Sequence, residues 1–333
     1  MAIRAFSDEQ ARALINLRRR YEVWIEAERG LAQLPYGLAR KEVGGRAYLY
    51  EIRDRKGNGK SLGPWSDAQA AQLEAYRDEK EGLKARAAAS RSALDESASI
   101  ARVLRVPMIA NEAGPILREA DRRGLLGGAL LVVGTNAVAA YALEAGGFIP
   151  ELPDEAADFD LAWTEIDPQQ DAQIVWNLLK AVDATFTVNT GRSFQARNAK
   201  AYEVEILAAP SRAANMARTD RPQPIPLPEQ EWLLEGRPVD QVVICRNGSP
   251  ARIVAPDPRW FALQKLWMSG QSKRHPLKRG KDLKQALLLL DAVAEAMPHY
   301  PLDDAFEAAL PGELAPYYVR WAERRPQPRS PDW

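Results

Sequence analysis

The sequence predicts an α+β protein, with a mixed β-sheet flanked by an N-terminal region of helices plus a β-hairpin and by a C-terminal helical domain. Three observations lead there. Between about residues 107 and 210, short apolar β-type runs alternate with helical patterns. Two hairpin spellings lie outside that stretch, one at Gly57-Asn58-Gly59 and one at Asn247-Gly248. From about residue 256 onward the pattern is helical. The chain has 333 residues, of which 46% are hydrophobic. At roughly 150 residues per domain this is about two domains with a real core.

In chain order, Ser7 and Gln10 spell a capping box that opens a charged amphipathic helix running to about Gly30. The run RAYLYEIR at 46–53 meets the Gly57-Asn58-Gly59 turn and returns through Ser61 and Leu62 as a hairpin. Ser66 and Gln69 repeat the capping-box spelling before a long polar helix reaching toward Val106. Residues 1–105 are therefore expected to form an N-terminal unit. A core domain is expected over 106–210. It holds a helix up to Arg123, an apolar strand at 128–133, a glycine turn, and a helix at 136–144. A strand follows at 158–163, then a helix from about Pro168 to Val182 and strands near 193–197 and 201–207. Residues 211–255 read as a proline-rich connector (Pro222, Pro224, Pro226, Pro228) and a hairpin of 239–245 with 251–254. Residues 256–333 read as the C-terminal helical domain, and its last ten residues are expected to fray.

Composition removes several function classes. Lys+Arg and Asp+Glu number 45 each, so no global field draws the chain to nucleic acid or membrane. A polyanionic partner has to meet a local patch. With one cysteine (Cys245) and two histidines (His275, His299), neither a disulfide framework nor a Cys/His zinc cluster is possible, and a histidine-based triad is improbable. Chemistry here falls to carboxylates. Cys245, on a β-type run, reads as a small buried hydrophobe. The N-terminus shows no apolar signal region and the lone cysteine suits a reducing compartment, which predicts a cytoplasmic location. Residues 125–143 carry no charge and nearly reach the length of a membrane span. Gly134-Thr135-Asn136 interrupts them where the pattern changes, so a buried strand, turn and helix are predicted.

GNGKS at 57–61 is not a phosphate-binding P-loop: position 54 is Asp where that motif needs glycine, and a hairpin surrounds it. The turn Gly134-Thr135-Asn136 is better placed, between a buried strand and a helix. Free N–H groups converge there, Gly134 permits close approach of an anion, and Thr135 adds a hydroxyl. An ordinary strand–helix turn is the alternative. Asp158-Phe159-Asp160 projects two carboxylates from one strand face with Phe159 packed behind. Such a pair repels itself unless a divalent cation lies between, and oxygen ligands suit Mg²⁺ or Mn²⁺. A solvated acidic strand end is the alternative, with Asp154 and Glu155 nearby. On a later strand, Glu205 can complete the metal site, and Glu203 on the same face competes with it.

Together, LLVVGTN, DFDLAW and YEVEIL resemble the nucleotidyltransferase-fold superfamily, the polymerase-beta-like enzymes with a minimal palm. More narrowly, YLYEIR, KSLGPWS, RWFALQKLW and KRGKDLKQA look like a bacterial branch of it with an N-terminal helical and hairpin extension. The likeness covers about residues 40–300. It implies a nucleotidyltransferase palm and Mg²⁺-dependent transfer of a nucleoside monophosphate from an NTP, with Asp158, Asp160 and Glu205 as catalytic metal ligands. Gly134, Thr135 and Asn136 would hold the nucleotide. It also makes Lys265, Lys278 and Arg279 candidates to meet the triphosphate or the acceptor, with Asp282 orienting a neighbour. Two departures stand out: the third carboxylate is usually Asp rather than Glu205, and Ala157 precedes the D-x-D where threonine or arginine is common. Superfamily members modify RNA ends, proteins, antibiotics and second messengers, and some act as toxins or in phage defence. No residue here selects among them, and a hydroxyl or phosphate on RNA, tRNA or protein is the leading expectation. A D-x-D glycosyltransferase and a degenerate protein that only binds nucleotide or nucleic acid through 273–284 are the alternatives. Tyr48, Tyr50 and Trp65 can stack on a base or simply pack.

Overall fold

The computed structural model describes residues 2–154, 158–164, 173–213 and 222–324. After a short strand, β1 (Arg4–Ala5), helix α1 (Asp8–Gln33) is capped as spelled: the Ser7 hydroxyl accepts from the Gln10 N–H at 3.2 Å, and Gln10 Oε1 accepts from the Ser7 N–H at 3.0 Å. Strands β2 (Gly37–Val43), β3 (Arg46–Ile52) and β4 (Gly59–Pro64) form an antiparallel meander. The predicted hairpin is its second half. Strand β2 was not predicted, because GLARKEV has one β-branched residue and no aromatic, and pairing with β3 is what makes it a strand. Helix α2 (Asp67–Val103) returns along α1. Its capping-box spelling is not realised: the Ser66 hydroxyl bonds the Gln69 side chain, and no side chain caps the helix.

The core follows with β5 (Met108–Ile109), α3 (Ala113–Arg122), β6 (Leu130–Val132), a 3₁₀ turn at Gly134–Ala137 and α4 (Val138–Glu144). The uncharged stretch is thus a strand, a turn and a helix, and no helix among the described residues is long and apolar enough to cross a membrane. Strand β7 (Gly147–Phe148) pairs with β1. Next come β8 (Asp158–Trp163), α5 (Ile174–Val182), β9 (Thr187–Asn189), β10 (Arg192–Arg197), β11 (Glu203–Ala208) and α6 (Pro210–Ala213). The expected start of the fifth helix near Pro168 and the position of Ala157 lie outside the described residues, as does the tail 325–333. Beyond β12 (Ile225–Pro226) and a 3₁₀ helix, strands β13 (Val239–Cys245) and β14 (Pro250–Ala255) form the second predicted hairpin. Helices α7 (Pro258–Ser269), α8 (Pro276–Ala296), α9 (Asp304–Ala308) and α10 (Ala315–Arg324) complete the chain.

The main sheet has the order β6-β8-β11-β10-β9, with β12 added alongside β11. A second sheet, β14-β13-β5, meets it where β14 lies against β6, and α3 and α4 pack on that second sheet. One hydrophobic cluster joins both sheets to the C-terminal helices, from Ile109 through Phe159, Val243 and Phe261 to Trp321. The contact of Tyr141 on α4 with Phe261 on α7, centroids 5.0 Å apart, is part of that joint. Helices α1 and α2 pack through Leu17, Tyr21, Leu94 and Ala98 onto Val242 and Ile244 of β13. Because Gly30 lies against Leu83, the first turns of α2, 67–80, extend about 20 Å beyond α1 and carry the meander. There Leu49 is buried against Leu73 and Tyr76.

Candidate active site

Alternation along β8 sends Phe159 and Leu161 into the core with no exposure and leaves Asp158 and Asp160 together on the opposite face. β6 pairs antiparallel to β8, and β11 pairs parallel to it, with Glu203 beside Asp158 and Glu205 beside Asp160. Oxygens of Asp158, Asp160 and Glu205 all lie within 4.8 Å of one another. Glu203 sits on the same strand face but is ion-paired with Arg197. Gln195 Nε2, from the neighbouring strand β10, donates to both glutamates at 3.0 Å, and Arg192 Nη1 lies 3.8 Å from Glu205.

The cluster is electrostatically unbalanced. Burial first, then the charges of Asp158 and Glu205, push the Asp160 carboxyl up to about 7, with Lys265 and Lys278 pulling against them. Glu205 is also raised, by burial and then by Asp158. Three convergent, mutually repelling oxygen donors are a donor set for a hard divalent cation. The residues present therefore fit Mg²⁺ or Mn²⁺.

The glycine turn lies directly on this cluster. Gly134 has φ +65°, and a Cβ there would sit 2.0 Å from Asp160 Oδ2, so the turn closes over the aspartate only as glycine. The Val133 N–H donates to the Asp160 carbonyl at 3.1 Å. Asn136 Nδ2 donates to the Asp158 carbonyl at 2.9 Å, so its side chain positions β8. Thr135 is buried, and its hydroxyl lies 3.4 Å from Gln285 Nε2.

Among the predicted cations, the structure separates three situations. Lys278 Nζ lies 3.7 Å from Asp158 Oδ2 on a half-exposed side chain. Lys265 is buried and paired with Asp282 at 2.8 Å, and Arg274 takes the other oxygen of Asp282 at 2.8 Å. This pairing fastens α7 to the start of α8. Arg279, turned about 100° around α8 from Lys278, makes no ion pair among the described residues. Three residues were not singled out from sequence. Lys281 has its ammonium lowered by burial and then by Lys265, with Asp158 opposing. Gln285 and Gln195 are the other two. Lys278, Lys281, Asp282 and Gln285 follow an i, i+3, i+4, i+7 spacing, a one-face signal that was present in the sequence.

Residues 111–311, well over half of the chain, match a family model described as nucleotidyltransferase. No curated protein and no solved structure matches the chain.

Proposed function

The chain belongs to the nucleotidyltransferase family, and from that premise we propose that it moves a nucleoside monophosphate from an NTP to a hydroxyl or phosphate of an RNA or protein acceptor, using Mg²⁺ or Mn²⁺. The observation that carries this reading is the convergence of Asp158, Asp160 and Glu205 within 4.8 Å directly under the Gly134 turn. Those three carboxylates hold the cation, which when bound supplies Lewis-acid activation of the attacking oxygen and neutralises phosphate charge. The turn at Gly134, held against Asp160 because it has no side chain, brings main-chain N–H groups to the edge of the cluster for the triphosphate, and Thr135 offers a hydroxyl beside them. Lys278 reaches the same edge of the cluster and meets the phosphates as a mobile counter-charge, with Lys281 on the same face of α8. The Lys265–Asp282–Arg274 group supports that helix face, and Asn136 keeps the D-x-D strand in register with the turn. Both act as positioning groups.

The test incubates the protein with each α-labelled NTP, Mg²⁺ or Mn²⁺ and a cell extract. Metal-dependent label in one class of macromolecule is expected, and its identity gives the acceptor. No label from any NTP with either metal overturns the reading.

A further inference from the structure

We propose that the outer face of the β2-β3-β4 meander is a binding surface for single-stranded RNA. The meander has two unlike faces. Its inner face buries Leu49 on Leu73 and Tyr76 of α2. On the central strand the opposite face carries Arg46, Tyr48 and Tyr50 in alternation. The cross-strand neighbours of Tyr50 are Ala39 and Ser61, and those of Tyr48 are Lys41 and Pro64. Both rings are half-buried; the cross-strand neighbours of Tyr50 are small, and the Lys41 ammonium approaches one face of its ring. Neither ring belongs to a hydrophobic cluster, and neither hydroxyl has a partner among the described residues. Same-face residues on a strand stand about 7 Å apart, far enough for two successive unstacked bases each to meet one ring. Aromatic rings on an open sheet face are how proteins stack unpaired bases.

Charge selects the occupant. The chain as a whole has zero net charge, whereas residues 37–65 hold seven Lys/Arg against three Asp/Glu. The acids there are already engaged. Glu51 is shared by Arg53 and Lys60 at 3.6 Å each, Glu42 pairs with Arg40 at 3.7 Å, and Asp54 accepts from Asn58 in the turn. Lys41, Arg46, Arg55 and Lys56 form no ion pair among the described residues. Lys41 donates to the Gly57 carbonyl at 2.8 Å and lies 5.2 Å over the Tyr50 ring, on the same face as Tyr48. A polyanion carrying exposed bases complements cations and half-buried rings alternating on one face. A duplex would hide its bases from the rings. The free tyrosine hydroxyls are suited to the ribose 2′-hydroxyl, the group that tells RNA from DNA.

This surface rests on the nucleotidyltransferase reading only in making the bound RNA the acceptor, and the experiment keeps the two apart. A fluorescein-labelled mixed-sequence RNA 12-mer is titrated by anisotropy without NTP, beside the same DNA strand and an RNA duplex. Wild type is compared with Tyr48→Ala/Tyr50→Ala, Tyr48→Phe/Tyr50→Phe and Lys41→Gln/Arg46→Gln, each checked by thermal melting. Stacking energies for two bases predict binding about 30-fold weaker or more for the alanine pair, with the phenylalanine pair within a few-fold of wild type. The glutamine pair should flatten the slope of log K against log salt by about 1.4, at roughly 0.7 per phosphate contact. It remains informative even if the alanine pair melts early. No binding by wild type, unchanged binding by the alanine pair, or equal binding of DNA or duplex overturns the proposal. None of these outcomes touches the metal site. RNA bound through these rings but never labelled from any NTP overturns RNA as the acceptor while the surface stands.

Discussion

Asp121 and Asp160 are both carboxylates carried on elements of one core, yet their surroundings are opposite. Asp121, at the end of α3, has no solvent exposure and is surrounded by donors. The Tyr21 hydroxyl lies at 2.9 Å, Arg252 Nη1 at 2.9 Å, and Arg29 pairs with the same carboxylate from α1. Asp160 has two other carboxylates as close neighbours and no hydrogen-bonded cation among the described residues. The first arrangement compensates a buried charge and thereby ties α1 and β14 to α3. The second concentrates charge that flanking cations compensate only in part, with Lys278 Nζ 3.7 Å from Asp158 and Arg192 3.8 Å from Glu205. A buried carboxylate stabilises the fold when its partners come from the chain, and reserves a site when they do not.

The sharpest break of that comparison is to remove a carboxylate from each region. Asp158→Ala or Asp160→Ala should lower label transfer roughly a thousandfold, since losing about 4 kcal/mol of charge stabilisation corresponds to that factor. Relief of repulsion should leave the urea midpoint equal to or above that of wild type. Near-wild-type transfer by either variant would remove these residues from the active site. Asp121→Ala should do the reverse. It leaves two arginines facing an emptied pocket and should cost about 3–5 kcal/mol in denaturant unfolding. A loss below about 1 kcal/mol would show that the Asp121 contacts are ornamental.

Glutamates on β11 sharpen the comparison within one strand. Glu205→Gln should cost at least tenfold more activity than Glu203→Gln, because Glu205 groups with both aspartates and its ion pair with Arg192 at 3.8 Å is looser than that of Glu203 with Arg197. Equal losses would place the third ligand wrongly.

Proton linkage gives a smaller effect. Burial and its carboxylate neighbours raise the Asp160 carboxyl from the ordinary 3.8 to about 7 in the folded chain. Its contribution to stability is therefore fully present below about pH 4 and is lost as pH rises to about 7. Divalent cation binding needs the ionised form. At pH 6, calorimetry in buffers of different ionisation enthalpy should show proton release on Mg²⁺ binding, and at pH 8.5 it should show almost none. Identical proton release at both values would break the link between burial and metal binding.

The smallest effect distinguishes neighbouring cations on α8. Lys278→Gln should weaken NTP affinity several-fold, and Arg279→Gln should change it by less than twofold, as measured by titration. The reverse order would mean that α8 is rotated relative to the cluster when nucleotide is bound.

Several parts of this architecture were legible before any coordinates. Strand β8 occupies the predicted 158–163 because its acids alternate with residues that must be buried. The α+β class followed from where strand and helix patterns alternate, and the Ser7 cap from a local hydrogen-bonding rule that needs four residues. The same rule failed at Ser66, where the hydroxyl bonds a side chain instead. Strand β2 escaped notice because it is not β-like apart from its pairing partner, and β9 because three residues are too few to show alternation, although two of them are β-branched.

What sequence determined by itself was periodic and local: which residues alternate, where turns fall, and that carboxylates rather than histidine or cysteine must carry the chemistry. Tertiary structure alone decided which distant groups meet. The parallel register of β11 on β8 set Glu203 beside Asp158 and Glu205 beside Asp160, and Arg197 on β10 took Glu203 while Glu205 stayed grouped with the two aspartates. The packing of α7 on α8 gave Lys265 to Asp282, and the rotation of α8 set Lys278 Nζ 3.7 Å from Asp158. Register and helix rotation are set by burying one face among many alternatives, and that choice depends on the whole core rather than on any segment of it.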